Sequence, residues 1–188
     1  MEINRSIADC ENSVLMVIDI QERLASAMPQ GVRDRVVEQV EVLLTVADCL
    51  SVPVVVTEQY PKGLGPLEAP LQAKLPAGSP VIEKTCFSSA RVDEVSNYLS
   101  KTGRQQIFLT GMESHICVLQ TALDLLKQGY EVFIIEDAVS SRAKGNQFNA
   151  LQRMRLAGAV ISNVESVLFE WLGDAAHPAF KKLAKLIV

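Results

Sequence analysis

Short runs of apolar, mostly β-branched residues recur along the chain and alternate with longer segments of helical periodicity. Six runs predict strands, at 14–19, 52–58, 81–84, 106–111, 131–137 and 159–163. Between the first two runs, residues 31–50 repeat apolar positions at helical spacing, which predicts a helix with one buried face. A strand followed by a helix, repeated, predicts a parallel sheet with right-handed crossovers.

Three further segments complete the pattern. Residues 115–128 and 145–157 predict helices that stop at or before Gly129 and Gly158, and 165–186 predicts one or two short helices. Residues 58–80 hold five Pro and three Gly, which excludes a long helix or a central strand. This stretch predicts a long structured loop on the ligand-binding side of the sheet, where we expect Tyr60 and Leu64 to contact a substrate.

Composition agrees with one α/β domain spanning residues 1–188. Apolar residues make up 48% of the chain and aromatic residues only 5%, which is typical of strands buried on both faces. We therefore expect a three-layer, Rossmann-like fold: a six-stranded, mostly parallel sheet with helices on both faces. The formal charge of −4 and the scattered Lys and Arg argue against a nucleic-acid partner. Because no long uncharged apolar stretch occurs, we expect no membrane partner and a cytoplasmic protein.

Three of the predicted strands are followed by a reactive side chain. Asp19 ends the first, Lys84 ends the third, and Cys117 stands just beyond the fourth. The carboxyl ends of parallel strands meet at one edge of the sheet, where ligands bind. An ammonium group and the first turn of a helix both favour a thiolate, and a carboxylate can accept and return its proton. The pattern predicts acyl transfer to the Cys117 sulfur followed by hydrolysis, with backbone N–H groups of residues 111–114 facing the oxyanion.

The four cysteines show no CxxC spacing and no neighbouring pair of histidines, so we expect no metal and no cofactor. Cys49 falls in the apolar pattern of a helix and predicts simple packing. Cys86 lies two residues from Lys84, and its alternatives are burial or a disulfide with Cys117.

Four motifs in order resemble the isochorismatase-like cysteine hydrolases, which include nicotinamidases and N-carbamoylsarcosine amidases. They are VIDIQ at 17–21, KTCFSS at 84–89, GMESHICV at 111–118 and EDAVSSR at 136–142. The resemblance implies the isochorismatase-like hydrolase fold and a catalytic triad of Asp19, Lys84 and Cys117. It also implies a cis peptide bond between Met112 and Glu113 and an oxyanion hole formed by the N–H groups of Glu113 and Cys117. Gln21 matches the DxQ motif of the family, and homo-oligomers are common in it.

The chain departs from two branches of this family. Metal-dependent nicotinamidases carry an Asp and His cluster after the second strand, where this chain reads TEQYPKGLG. Ether-cleaving isochorismatases lack the cysteine. We therefore expect a metal-independent hydrolase of a small amide or carbamoyl substrate. Loop position and motif together nominate a set of substrate-binding residues: Gln21, Leu24, Gln59, Tyr60, Phe87 and His115.

Three alternatives stay open at this point. The protein is a non-catalytic oligomeric scaffold that keeps the family pocket, an isochorismate-type ether hydrolase, or a redox protein that uses Cys86 and Cys117. His115 stands two residues before Cys117, a spacing that places the two side chains on different helix faces, which favours a site-lining or interface role for this histidine. For Glu113, binding of a substrate donor and simple solvation are both open.

Overall fold

The computed structural model describes residues 7–187, and its centre is a six-stranded sheet in the order β3-β2-β1-β4-β5-β6. Every strand pair is parallel, so the expected α/β fold is confirmed, and the sheet is all-parallel rather than mostly parallel. The strands are β1 (Ser13–Ile18), β2 (Val54–Gln59), β3 (Val81–Lys84), β4 (Gln106–Met112), β5 (Glu131–Ser140) and β6 (Val160–Ser162).

Helices cover both faces of the sheet. Their bounds are α1 Glu22–Ser26, α2 Gln30–Leu50, α3 Pro61–Leu64, α4 Ala69–Lys74, α5 Asp93–Thr102, α6 Leu119–Lys127, α7 Lys144–Leu156, α8 Val164–Leu172 and α9 Phe180–Leu183. In β1, Leu15 and Val17 join the core under α2 and α8, whereas Met16 and Ile18 join the core under α5, α6 and α7. This alternation produces the three layers. None of the helices within residues 7–187 is long and apolar enough to cross a membrane.

The structure differs from the sequence pattern in several places, and helix α1 is one of the elements that the pattern did not predict. Helix α5 was not predicted, because only Val95 and Leu99 in it are buried apolar residues. The proline-rich segment carries the two short helices α3 and α4. The predicted helix over 115–128 divides into a π-helical turn, Ser114–Val118, and α6. Strand β5 continues to Ser140, three residues beyond its predicted end.

The two central strands bring the ends of β1 and β4 side by side. Ile18 pairs with Gly111 in the parallel register. Gly111 has φ +122°, a conformation that favours glycine. Residues 19 and 113–117 therefore leave the sheet as neighbours at its carboxyl edge.

Candidate active site

Asp19 is the first residue beyond β1 and is wholly buried. Its backbone lies in the left-handed region, at φ +54°, which is uncommon for a residue other than glycine. Its N–H donates to the carbonyl oxygen of Thr57 at 3.0 Å. The carboxylate accepts from Lys84 Nζ on Oδ2 at 2.6 Å and from Thr57 Oγ1 on Oδ1 at 2.8 Å. Both oxygens are therefore fixed in direction.

Lys84, the last residue of β3, turns its side chain inward, where none of it is exposed. The ammonium contacts four oxygens: Asp19 Oδ2 at 2.6 Å, Gln59 Oε1 at 2.7 Å, Phe87 O at 3.1 Å and Cys86 O at 3.3 Å. A buried charge is tolerated only when it is paired and hydrogen-bonded, and this ammonium is both.

Cys117 lies in the π-helical turn that follows β4, and only 5% of the residue is exposed. Asp19 and Lys84 are both close enough to change its acidity by charge and hydrogen bonding. Burial, and then the negative charge of Asp19, raise the pKa of the Cys117 thiol to about 12, although Lys84 acts in the opposite direction. The sequence pattern favours a thiolate, whereas in the structure burial and the negative charge of Asp19 act against the thiolate more strongly than Lys84 acts for it.

The resting site thus combines a neutral thiol with a buried carboxylate–ammonium pair. Burial raises the pKa of Asp19 above its usual range, while Lys84, Cys117 and Thr57 act to lower it. A carboxylate that is destabilised by burial is a stronger base. Transfer of the thiol proton to Asp19 would neutralise the carboxylate and leave the new thiolate beside the Lys84 ammonium, so charge in the cluster is conserved.

Gln21 and Gln59 were predicted to bind substrate, but their amide groups are used inside the protein. Gln21 is fully buried; its Nε2 donates to Gly65 O at 2.6 Å and Gln59 O at 3.1 Å, and its Oε1 accepts from the Gln59 N–H at 2.7 Å. Gln59 accepts from Lys84 and donates through Nε2 to Thr85 O at 2.7 Å. Gln21 therefore holds the loop after β2, and Gln59 orients Lys84.

The other predicted substrate residues divide into two groups. Leu24 packs against the core on the α2 side of the sheet. Both ring nitrogens of His115 have polar neighbours. Ser141 Oγ lies 2.9 Å from Nδ1, and Asn146 Nδ2 lies 3.3 Å from Nε2. Tyr60 and Phe87 are 56% and 52% exposed. Only these two aromatic side chains in the group are free to meet a ligand.

A cavity of about 500 Å³ opens beside the segment that follows β3. Tyr60, Lys84, Cys86 and Arg91 contribute to its wall, whereas Asp19, Phe87 and Cys117 do not. Leu64, in α3, is half-buried and also lies outside this wall. Because the Lys84 side chain has no exposed surface, the cavity meets Lys84 through its backbone and lies beside the cluster rather than within it.

The turn between β4 and Cys117 is held by a second ion pair. The peptide bond between Met112 and Glu113 is cis. The buried Glu113 carboxylate accepts from the Arg142 N–H at 2.9 Å and from Arg142 Nε at 3.1 Å. Glu113 is thus neither a solvated carboxylate nor a free substrate ligand, and Arg142 anchors the turn that carries Cys117.

The isochorismatase domain model matches residues 13–166, which include every residue of this cluster. The chain belongs to the isochorismatase family. Isochorismatase domain-containing protein 2 of Pongo abelii is 41% identical over 180 residues, covering 94% of this chain and 83% of that protein. The secreted isochorismatase effector Isc1 of Phytophthora sojae is 40% identical over 180 residues, covering 94% and 84%.

Among solved structures, a protein described as MAR1 ribonuclease from Caenorhabditis elegans superposes with a TM-score of 0.91. It is 37% identical and covers 97% of this chain and 92% of its own. An isochorismatase-family fold is therefore established for this chain over nearly its whole length.

In this isochorismatase-family site, sequence reasoning missed a set of buried or anchoring residues: Thr57, Ser89, Thr121 and Arg142. Arg142 lies in the EDAVSSR motif, so that motif was the available signal. The hydroxyl residues give no such signal, because a buried Thr or Ser looks like ordinary strand or turn composition.

The remaining sequence predictions concern the four cysteines and a metal site. Cys10, Cys49, Cys86 and Cys117 are all free thiols, and Cys49 packs half-buried against the core. Within residues 7–187, no three His, Cys, Asp or Glu side chains are grouped closely enough to hold a metal ion.

Proposed function

We propose that the protein is a metal-independent cysteine hydrolase that cleaves a small amide or carbamoyl C–N bond through a Cys117 thioester. One observation carries this proposal: a wholly buried carboxylate–ammonium pair, Asp19 and Lys84, acts on the thiol of Cys117. Removing such a pair from water costs desolvation free energy, which favours a chemical role for the pair over a purely structural one. A base and a cation in contact, with a nucleophile whose acidity both of them change, are the components of covalent catalysis.

The reaction begins with proton transfer from Cys117 to Asp19 as sulfur attacks the carbonyl carbon. The S–C bond forms, and the oxyanion is stabilised by the N–H groups of Glu113 and Cys117. Asp19 then gives its proton to the departing nitrogen, the C–N bond breaks, and a thioester remains. Water attacks the thioester with Asp19 as base, which releases the acid and restores the thiol. Lys84 stays positively charged throughout and stabilises each anionic sulfur.

Substrate binding is assigned to the Lys84 side of the cluster. The cavity of about 500 Å³ suits a small molecule, and Tyr60 lies in its wall. Phe87 stands nearby in the chain, and its exposed ring is available to the substrate or to a second subunit. In this proposal, residues 1–188 form one domain of a cytoplasmic homo-oligomer. The protein uses no cofactor and has no nucleic-acid or membrane partner.

A second candidate function is a non-catalytic scaffold that retains the family pocket. The observation in its favour is the buried Cys117 thiol, whose pKa is raised to about 12. Ether hydrolysis of the isochorismatase type is also compatible with the family. RNA cleavage, suggested by the description of the C. elegans protein, is disfavoured by the formal charge of −4.

The test is a panel of small primary amides, carbamoyl compounds and isochorismate, assayed with wild type, Cys117→Ala and Cys49→Ala. We expect turnover of an amide or carbamoyl compound that Cys117→Ala abolishes and Cys49→Ala retains, because Cys49 packs against the core outside the cavity wall. Rapid acid quenching followed by mass spectrometry should detect an acyl adduct on the Cys117 peptide. Turnover that survives Cys117→Ala would contradict the thioester route. Absence of any turnover, together with an unreactive Cys117, would favour the scaffold.

A further inference from the structure

A chain of buried hydroxyl and backbone groups joins the Asp19 carboxylate to the backbone of Cys117. Thr57 Oγ1 donates to Asp19 Oδ1 at 2.8 Å and lies 3.2 Å from Ser89 Oγ. The N–H of Ser89 donates to Thr121 Oγ1 at 2.9 Å, and Thr121 Oγ1 donates to the carbonyl oxygen of Cys117 at 2.7 Å. Each of these residues except Cys117 has no exposed surface.

The chain ties together the segments that carry the three reactive groups. Thr57 belongs to β2, Ser89 to the turn after Lys84, and Thr121 to α6, one turn beyond Cys117. Because water has no access, each hydroxyl must find its partners within the protein. This requirement fixes which hydroxyl group donates its hydrogen to which partner. A carboxylate only accepts, so the single hydrogen of Thr57 points at Asp19, and Ser89 is left to donate to Thr57.

We propose that Thr57 is a positioning residue, which holds the Asp19 carboxylate through Oδ1 in the orientation in which it takes the proton of Cys117. In the step itself the S–H bond of Cys117 breaks, an O–H bond forms on the Asp19 carboxylate, and the negative charge moves from carboxylate to sulfur. Ser89 holds the Thr57 hydroxyl in this direction.

This inference rests on the proposed function, since it assigns a role within the same proton transfer. Lys84 and Cys117 are the other charged or titratable groups that act on Asp19. Loss of the Thr57 hydroxyl removes a donor that favours the ionised carboxylate, so Asp19 should lose its proton at a higher pH. At low pH both the Asp19 carboxyl and the Cys117 thiol hold a proton. A thiolate can form only after this pair has lost one of its two protons, so the alkylation rate of Cys117 reports that loss.

The experiment measures the iodoacetamide rate of Cys117 against pH, by mass spectrometry of the modified peptide, in wild type, Thr57→Val, Thr57→Ser and Ser89→Ala. We expect the midpoint of the acid limb to rise by about one pH unit in Thr57→Val. It should return toward the wild-type value in Thr57→Ser and rise less in Ser89→Ala. Thr110→Val is the matched control, since Thr110 is buried and donates only to Met16 O, at 3.3 Å.

The outcomes separate the two proposals. An acid limb that Asp19→Asn shifts to lower pH supports the Asp19–Cys117 proton pair, and a limb that Asp19→Asn leaves unchanged would overturn both that pair and the inference. An unchanged midpoint in Thr57→Val would overturn only the inference. Circular dichroism checks the fold of each variant, and Ser89→Ala decides the question if Thr57→Val does not fold.

Discussion

Gly111 lies so close to Ile18 that a Cβ atom at position 111 would stand 1.9 Å from the Ile18 carbonyl oxygen. This approach places the end of β4 directly beside the end of β1. This contact brings the Cys117 turn next to Asp19. Asp19 directly follows β1, and the turn begins two residues after the end of β4.

Gly111→Ala should therefore destabilise the protein severely, by about 4 kcal/mol or more, or prevent folding. Gly129→Ala is the control, because Gly129 also has a positive φ, +93°, but has open space around its Cβ position. There we expect only the backbone cost, about 1–2 kcal/mol. Urea unfolding compares the two. Similar losses in both variants would contradict the steric explanation.

Asp19→Asn should make Cys117 easier to deprotonate and yet abolish hydrolysis. The carboxylate contributes to raising the thiol pKa to about 12, so removing its charge leaves Lys84 to favour the thiolate. Alkylation should then reach half its maximum at a lower pH. Turnover should fall at least about 100-fold, because no group returns a proton to the leaving nitrogen.

Asp174→Asn is the matched control for this prediction. Asp174 is exposed and lies outside the cavity wall, so this substitution should change neither measurement. A Cys117 pKa that stays at its wild-type value in Asp19→Asn would show that burial alone sets the acidity of the thiol.

Stability should fall at alkaline pH because of Cys117. Its pKa is raised from 9.0 to about 12 in the folded protein. Above pH 9 the unfolded chain releases this proton while the folded protein keeps it, so the stabilising effect present below pH 9 is lost as the pH rises toward 12. At pH 10.5 the loss is about 2 kcal/mol. Urea unfolding at pH 8 and 10.5 should show a smaller decrease in Cys117→Ala than in wild type; equal decreases would contradict the raised pKa.

Gln21→Leu should loosen the loop after β2. It leaves the Gln59 N–H and the carbonyl oxygens of Gln59 and Gly65 without their buried partner. The expected loss of stability is about 2–4 kcal/mol. Hydrogen exchange at the Gln59 amide should accelerate. Gln147→Leu, which removes a bond from Nε2 to Val139 O at 3.0 Å, is the control and should leave that amide protected. An unchanged Gln59 amide in Gln21→Leu would refute the ordering role.

The strands were predictable because both faces of the sheet are covered, which produces continuous apolar runs such as residues 14–18. The convergence of Asp19, Lys84 and Cys117 followed from parallel topology alone. Helix α5 was not predictable, because it buries too few apolar residues to show a period. The raised pKa of Cys117 was missed for another reason: burial depth depends on how neighbouring segments close over a side chain, and local spacing does not encode it. The bond of Gln59 to Lys84 could not be predicted from local spacing, because the two residues stand 25 positions apart.

The position of Lys84 at the outer edge of the sheet links activity to local unfolding. Asp19 and the Cys117 turn emerge from the two central strands, whereas Lys84 comes from a four-residue strand with a single neighbour, β2. Edge elements open more readily than central ones. Detachment of β3 would withdraw the Lys84 ammonium from Asp19 while most of the sheet stayed folded. Under the proposed function, catalytic competence would then be lost at lower denaturant than the global structure, and the edge strand would set the limit of the working range.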